Sequence, residues 1–322
     1  MSQVTRIFIT GINGFAGSHL AEHLLAEKLG AVFGCGHIDN LPAHLRATTQ
    51  FTQLDLCDLA ATTAALQACQ PDQIYHLAGQ AFVPQSWDDP WATFAGNVQA
   101  TLNLIAAART LPRFPRMLIV TSIEVYGQVA AADLPITEHH PLHPTSPYGV
   151  SKVAQDLLAQ TYAREQKLPI FTARPLNHIG PRQDARFVVS SFAAQIAEIE
   201  AGLKPPVIHV GDLSAQRDFT DVRDIVRAYA LLMQHATPTE CYNIGSGRLV
   251  TIEAILHGLL AHSQLPITIQ VDNERLRPIG QMPLIADTSK IRQVTGWQPK
   301  ISLENTLQDV LTVARQVYSK KY

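Results

Sequence analysis

Ile7-Phe8-Ile9-Thr10-Gly11-Ile12-Asn13-Gly14-Phe15-Ala16-Gly17 is the stretch that decides the fold. A run of β-favouring residues enters three glycines spaced GxxGxxG and continues into a helical pattern. Glycine is required where the turn is tight, where backbone approaches a pyrophosphate, and where helix packs on strand. The helix then presents its first N–H groups to the phosphates. The segment predicts a dinucleotide-binding βαβ unit, with Gly11, Asn13, Gly14, Phe15, Ala16 and Gly17 against the cofactor. Glycines alone would be a weak signal; the strand before them and the helix after them make it specific.

Outward from this unit, β-branched runs at 6–10, 31–36, 51–55, 73–77, 116–121 and 169–174 alternate with amphipathic stretches at 17–29, 58–70, 97–110 and 148–166. This rhythm predicts an α/β fold with a doubly wound parallel Rossmann sheet, whose ligands lie beyond the carboxyl ends of the strands. Residues 1–174 are read as an NAD(P)-binding Rossmann domain. Beyond Arg174, interruptions at Pro175, Gly180, Pro181, Pro205, Pro206 and Gly211 break the alternation. Residues 175–322 are therefore read as a smaller C-terminal substrate-binding lobe, with segments near 221–262 returning to the first domain.

The 322 residues are 46% hydrophobic and 16% charged, which excludes global disorder. With 25 Lys+Arg against 27 Asp+Glu, the net charge of −2 lacks the basic footprint of a nucleic-acid binder. No apolar run approaches the ~18 residues that span a bilayer, and the opening MSQVTRIFITG has no signal-peptide core. The expectation is a soluble, cytoplasmic protein with no membrane partner. The four cysteines, Cys35, Cys57, Cys69 and Cys241, lack CxxC or Cys/His ligand spacing, so reduced thiols and no metal are expected. His139 and His140 adjoin in a Pro-rich loop without neighbouring ligands.

After the second strand, Gly36-His37-Ile38-Asp39-Asn40 offers His37 as a phosphate or ribose contact and Asp39 as a ribose acceptor. No Arg or Lys stands immediately beside them, which leaves NAD(H) and NADP(H) both open. Asp55 and Leu56, ending the third strand, are placed to flank the adenine. Leu77, Ala78 and Gly79 are placed near the pyrophosphate and ribose.

Tyr148-Gly149-Val150-Ser151-Lys152 follows a Pro-rich lead-in, and on a helix residues i and i+4 share a face. A cation beside Tyr148 would favour phenolate and bring its acid–base chemistry towards neutral pH. A lone YxxxK is a weak signal. It gains weight because the strand 117–121 runs into Ser122, a hydroxyl placed to hydrogen-bond a substrate oxygen, with Glu124 two residues further on. Ser122, Glu124, Tyr148 and Lys152 together point to a hydride-transfer site.

GxxGxxG, HLAG (His76 to Gly79), Asn97, Ser122, Tyr148/Lys152, Arg174 to Asn177, RDFTDVRD (Arg217 to Asp224), YNIGSG (Tyr242 to Gly247) and GWQP (Gly296 to Pro299) stand in this order along almost the whole chain. The set resembles the extended short-chain dehydrogenases/reductases that act on nucleotide sugars. The Pro175 to Pro181 segment and SPYGVSK are most similar to the branch handling GDP-mannose derivatives. The resemblance implies an NAD(P)-dependent enzyme with a GDP-linked sugar substrate. Its expected reaction is reduction of the C4 ketone of GDP-4-keto-6-deoxymannose to GDP-D-rhamnose; 4,6-dehydration of GDP-mannose and epimerisation are the alternatives. It implies that Asn97 and Lys152 assist the cofactor, that Asn177 holds the sugar diphosphate, and that Val188 and Lys204 line the guanine pocket. Arg217 and Arg277 are implied to neutralise the phosphates. It also implies a homodimer paired through the helices near 97–110 and 148–166, for which Leu104 and Leu158 offer apolar surface.

Overall fold

The computed structural model describes residues 4–272, 275 and 283–319. In chain order its elements are β1 (Arg6–Thr10), α1 (Phe15–Ala26), β2 (Ala31–Gly36), α2 (Ala43–Arg46), β3 (Gln50–Gln53), α3 (Leu59–Cys69), β4 (Gln73–His76), α4 (Val83–Asp88) and α5 (Pro90–Phe94). A π-helical turn (Ala95–Gln99) leads into α6 (Ala100–Ala108), then β5 (Arg116–Val120), a 3-10 turn (Ile123–Val125), α7 (Pro147–Glu165), β6 (Ile170–Pro175) and β7 (Asn177–Ile179). There follow α8 (Val188–Glu200), β8 (Val207–Val210), β9 (Gln216–Asp221), α9 (Val222–His235), β10 (Cys241–Ile244), β11 (Leu249–Thr251), α10 (Ile252–Leu260), β12 (Thr268–Val271), α11 (Ser289–Thr295) and α12 (Leu303–Ser319).

Seven parallel strands form one sheet in the order β10-β6-β5-β4-β1-β2-β3. Strand periodicity sends successive side chains to opposite faces, and both faces are covered. Ile7, Ile9, Tyr75, Leu118 and Phe171 join one core with α1 and α9, while Phe8, Ile74, Met117, Ile119 and Ile170 join the other with α3, α6 and α7. Chain order reverses between β1 and β4, which opens a crevice beyond their carboxyl ends.

Local chemistry sets the helix starts. Asp58 accepts a hydrogen bond from Ala61 N at 2.9 Å to begin α3, and Thr251 caps Ala254 N at 3.0 Å to begin α10. Ser146 caps Gly149 N at 3.0 Å ahead of Pro147, which fixes where the Tyr148 helix begins.

The return of the later chain to the sheet differs from expectation in one part. β10 pairs with β6, and α9 packs against α1. The helix at 252–260 does not return: Ile255, Leu256 and Leu259 of α10 join Phe192 and Ile196 of α8 and Leu307 and Leu311 of α12 in a separate core. Instead, Ile291 of α11 and Trp297 enter the core beneath α9. The Trp297 indole N–H donates to Asp224 O at 2.9 Å, and the Asp224 carboxylate accepts from Lys300 N and Ile301 N at 2.8 Å each. Among the described residues no helix is long and apolar enough to cross a membrane.

Candidate functional site

Gly11 lies at φ +71°, and a Cβ there would stand 3.0 Å from Ala78 N. At Gly17 a Cβ would stand 2.0 Å from Gly11 O, so the turn closes only with these glycines. Gly14 is the N-cap of α1 and supplies no side-chain hydrogen bond, in contrast to the caps of α3, α7 and α10. The first N–H groups of α1 therefore need an acceptor from outside the helix. A narrow glycine cradle with unsatisfied donors fits a dinucleotide pyrophosphate. The Asn13 amide donates to Ile38 O at 2.8 Å and to the Asn40 side-chain oxygen, tying the cradle to the loop after β2.

In that loop His37 and Asp39 are exposed. Asp39 is not alone, because Arg46 at the end of α2 forms an ion pair with it. Arg46 also lies 5.7 Å from the Phe51 ring centroid. The sequence reading found no cation beside Asp39; the short helix α2 brings one from seven residues on. Asp55 is exposed and accepts from Cys57 N at 2.9 Å. Leu56, expected to flank the adenine, is instead buried in the α3–α6 core, because the chain after β3 turns down into α3.

At the carboxyl end of β5, Ser122 begins the 3-10 turn and its hydroxyl accepts from Glu124 N at 3.2 Å. Ser122 also shares a hydrogen bond with the Tyr148 hydroxyl. Burial raises the Tyr148 pKa, the Ser122 bond lowers it, and the Glu124 charge raises it again, with a net upward shift. Lys152 does not drive the phenol down as the YxxxK spacing suggested, because its ammonium lies 5.9 Å from the Tyr148 ring centroid and is engaged elsewhere. It donates to Val120 O at 3.2 Å and to Gln155 Oε1 at 2.8 Å. Burial brings its own pKa down to about 7.

Asn97 sits inside the π-helical turn, wholly buried. Its side-chain oxygen accepts from Gln80 N at 2.9 Å, and its amide donates to Ser151 Oγ at 2.9 Å. A Cβ at Gly79 would stand 2.5 Å from the Asn97 oxygen, which binds the β4 loop to the helix bearing Tyr148. Gly79, Asn97, Ser122, Glu124, Tyr148 and Lys152, separated by up to 73 positions in sequence, thus surround one end of β4 and β5.

Phe15 links this end to the second lobe. Its ring stacks on His178 at 5.9 Å with planes 4° apart, beside Asn177 of β7. Asn177 is exposed and pairs in register with Phe219 of β9, two residues from Arg217. Val188 is the first residue of α8. Lys204 pairs with Glu198 at 2.6 Å and lines a cavity of about 420 Å³ with Gln195, His209, Gln270 and Arg275. Arg277 lies outside the described residues.

A doubly wound sheet, a glycine cradle at β1 and a Ser-Tyr-Lys constellation at the end of β5 and the start of α7 define an extended short-chain dehydrogenase/reductase. A family model described as GDP-mannose 4,6 dehydratase matches residues 8–310. The GDP-6-deoxy-D-mannose reductase of Pseudomonas aeruginosa is 35% identical over 308 residues, covering 95% of this chain and 96% of that protein. A UDP-glucose 4-epimerase of Mycolicibacterium smegmatis is 32% identical, covering 92% of this chain and 95% of that protein. The solved structure of RMD from Pseudomonas aeruginosa complexed with NADPH superposes with a TM-score of 0.85 at 32% identity, covering 97% of this chain and 99% of that chain. The chain belongs to the GDP-mannose 4,6-dehydratase family.

Proposed function

We propose that this chain reduces the C4 ketone of GDP-4-keto-6-deoxy-D-mannose to GDP-D-rhamnose with NADPH. The observation that carries the reading is the pairing of two hydroxyls, Ser122 and Tyr148, beside buried Lys152. Two O–H groups converging at the end of β5 suit a carbonyl oxygen that gains negative charge as it is reduced. The nicotinamide, when bound, supplies the hydride that becomes the new C4 hydrogen. The Tyr148 hydroxyl transfers its proton to the C4 oxygen, and Ser122 donates a hydrogen bond to that oxygen. One ketone, one reduced cofactor and one proton yield one alcohol and one oxidised cofactor.

The raised Tyr148 pKa favours this direction. A phenol kept protonated at neutral pH is a proton donor before anything else. Lys152, with two of its donors on the protein, anchors the nicotinamide ribose with the third. The glycines at 11, 14 and 17 and the α1 N-terminus hold the pyrophosphate, with Asn13, Phe15, Ala16, Leu77, Ala78, Gly79 and Asn97 around it. His37 and Asp55 border the adenosine end. Arg46 takes the 2′-phosphate, which is why NADPH is favoured over NADH. Asn177, Val188, Lys204, Arg217 and Arg277 hold the GDP portion from residues 175–322, while residues 1–174 carry the cofactor.

Dehydration of GDP-mannose is the second reading, favoured by Glu124. Its charge acts on the Tyr148 phenol, so it stands within the site, where a carboxylate could remove the C5 proton. Incubation with GDP-mannose alone, then with the keto sugar and NADPH, separates the two. Consumption of only the keto sugar, with one NADPH lost per GDP-D-rhamnose formed, is the expected result. Loss of water from GDP-mannose without net cofactor use would overturn it.

A homodimer and a cytoplasmic location complete the proposal. Leu104 is wholly buried in the α3–α6 core and cannot serve the interface. Trp91 of α5 with Val150 and Leu157 of α7 are exposed, and we assign the subunit contact to them.

A further inference from the structure

Lys152 reaches a chain of buried polar groups that spans the sheet from the glycine cradle to α7. Gln155 Nε2 donates to Thr101 Oγ1 at 2.7 Å, and Thr101 Oγ1 donates to Asn97 O at 2.6 Å. His76 Nε2 lies 2.9 Å from the same Thr101 oxygen, and its Nδ1 lies 2.8 Å from Thr10 Oγ1. Thr10 Oγ1 accepts from Leu77 N and Ala78 N at 3.1 Å each. Thr10, His76, Thr101 and Gln155 are all wholly buried.

Counting protons sets every direction in this chain. Thr101 has one hydroxyl proton, which goes to the Asn97 carbonyl, so its two lone pairs receive Gln155 and His76. His76 must then carry its proton on Nε2 and accept at Nδ1 from the Thr10 hydroxyl. Burial, followed by the nearby Lys152 charge, takes the His76 pKa down to about 3, so the ring stays neutral near pH 7. With Thr101 able only to accept from it, the Gln155 amide cannot flip. Its oxygen is committed to the Lys152 ammonium.

We propose that Gln155 is a positioning residue for Lys152: its oriented amide oxygen and the Val120 carbonyl hold two of the three ammonium donors and leave the third for the bound ligand. The inference rests on the assignment of Lys152 to the cofactor ribose. An ammonium held in this way keeps both its direction and part of its charge against the desolvation of the site. The other titratable groups around it are His76 on β4 and Tyr148 one turn away on α7, and Glu124 on the 3-10 turn acts on that tyrosine. Asp156 on α7 is engaged by Arg174 of β6, with Nε to Oδ2 at 2.6 Å.

NADPH titration of the purified full-length chain by fluorescence, across pH 5.5–9, tests this. Gln155→Leu is expected to weaken NADPH binding ~10-fold at pH 7, the value of one charge-assisted hydrogen bond. It should also move the alkaline loss of affinity to lower pH, because the amine loses its acceptor. Gln155→Glu keeps an acceptor and adds a charge, so it should retain affinity and move the same limb to higher pH. In a Lys152→Met background, Gln155→Leu should have no further effect on NADPH affinity. Gln155→Leu with a wild-type pH profile, or with an additive effect in the Lys152→Met background, overturns the proposal. Should Gln155→Leu not fold, an unshifted Gln155→Glu profile overturns it equally. If the chain consumes no keto sugar while its NADPH profile responds to Gln155 as stated, the functional reading falls and this one stands.

Discussion

Arg46, at the last position of α2, turns back across the loop after β2 to pair with Asp39. An acidic residue at this place would, alone, accept from a ribose 2′-hydroxyl and repel a 2′-phosphate. On the function proposed above, its neutralisation by a guanidinium would reverse that preference, since the fork can leave the carboxylate for a phosphate.

Arg46→Ala should therefore weaken NADPH more than NADH. The expected loss is ~10-fold for NADPH, about 1.4 kcal/mol, with NADH changed little. Parallel titrations with 2′,5′-ADP and 5′-AMP isolate the phosphate. Equal losses for both ligands would remove Arg46 from the discrimination.

Lys152 makes stability depend on pH in a defined window. Burial lowers its folded-state pKa to about 7 from 10.5, so between those values the unfolded chain binds more protons than the native one. The destabilisation is complete below pH 7 and vanishes above 10.5, and stability rises with pH between them. The slope this group adds is at most about 1.4 kcal/mol per pH unit. Urea unfolding at pH 7, 8.5 and 10 should show that increment in the wild type and its loss in Lys152→Met. An unchanged slope in the variant would refute it.

The pair formed by Arg174 and Asp156 is almost fully excluded from water, at 3% and 0% exposure. Arg174 also donates to Tyr126 OH at 2.6 Å, and Tyr126 donates to Asn243 Oδ1 at 2.9 Å, joining α7, β6 and β10. Removing one partner strands a buried charge. Asp156→Ala should cost about 3–5 kcal/mol in chemical denaturation, and Arg174→Leu a similar amount. The double replacement should cost less than the two single losses added together.

Gly17→Ala forces a Cβ to within 2.0 Å of Gly11 O, where only backbone can give way. NADPH affinity should fall by at least ~10-fold through the displaced cradle. Gly202→Ala, where nothing lies within 4 Å of the new Cβ, is the comparison. It carries a left-handed φ of +71° and so its own backbone strain, but NADPH affinity should be unchanged.

Much of the first domain was legible in the sequence. Strand runs at 6–10 and 31–36 fall on β1 and β2, and the helical stretch at 148–166 falls on α7. The candidate site was legible as a set of residues and not as an arrangement. Ser122 and Tyr148 could be named from the strand end and YxxxK, whereas their hydrogen bond could not. Nothing about Gln155, three positions from Lys152, distinguishes it in sequence from any other polar helix residue. Its role emerges only against Thr101 and His76.

By itself the sequence determined what depends on neighbours a few positions apart: strand and helix periods, the glycine turn, and the ordered motifs that mark the family. Such preferences act through backbone dihedrals and i to i+4 contacts, and need no knowledge of the rest of the chain. Only the tertiary structure decided that Leu56 and Leu104 are core, that α10 serves the second lobe while α11 and Trp297 return, that Arg46 meets Asp39, and which partners hold Lys152. These are matters of burial and of hydrogen-bond valence among groups brought together from distant segments, and they acquire values only once the sheet and its two layers of helices have closed around them.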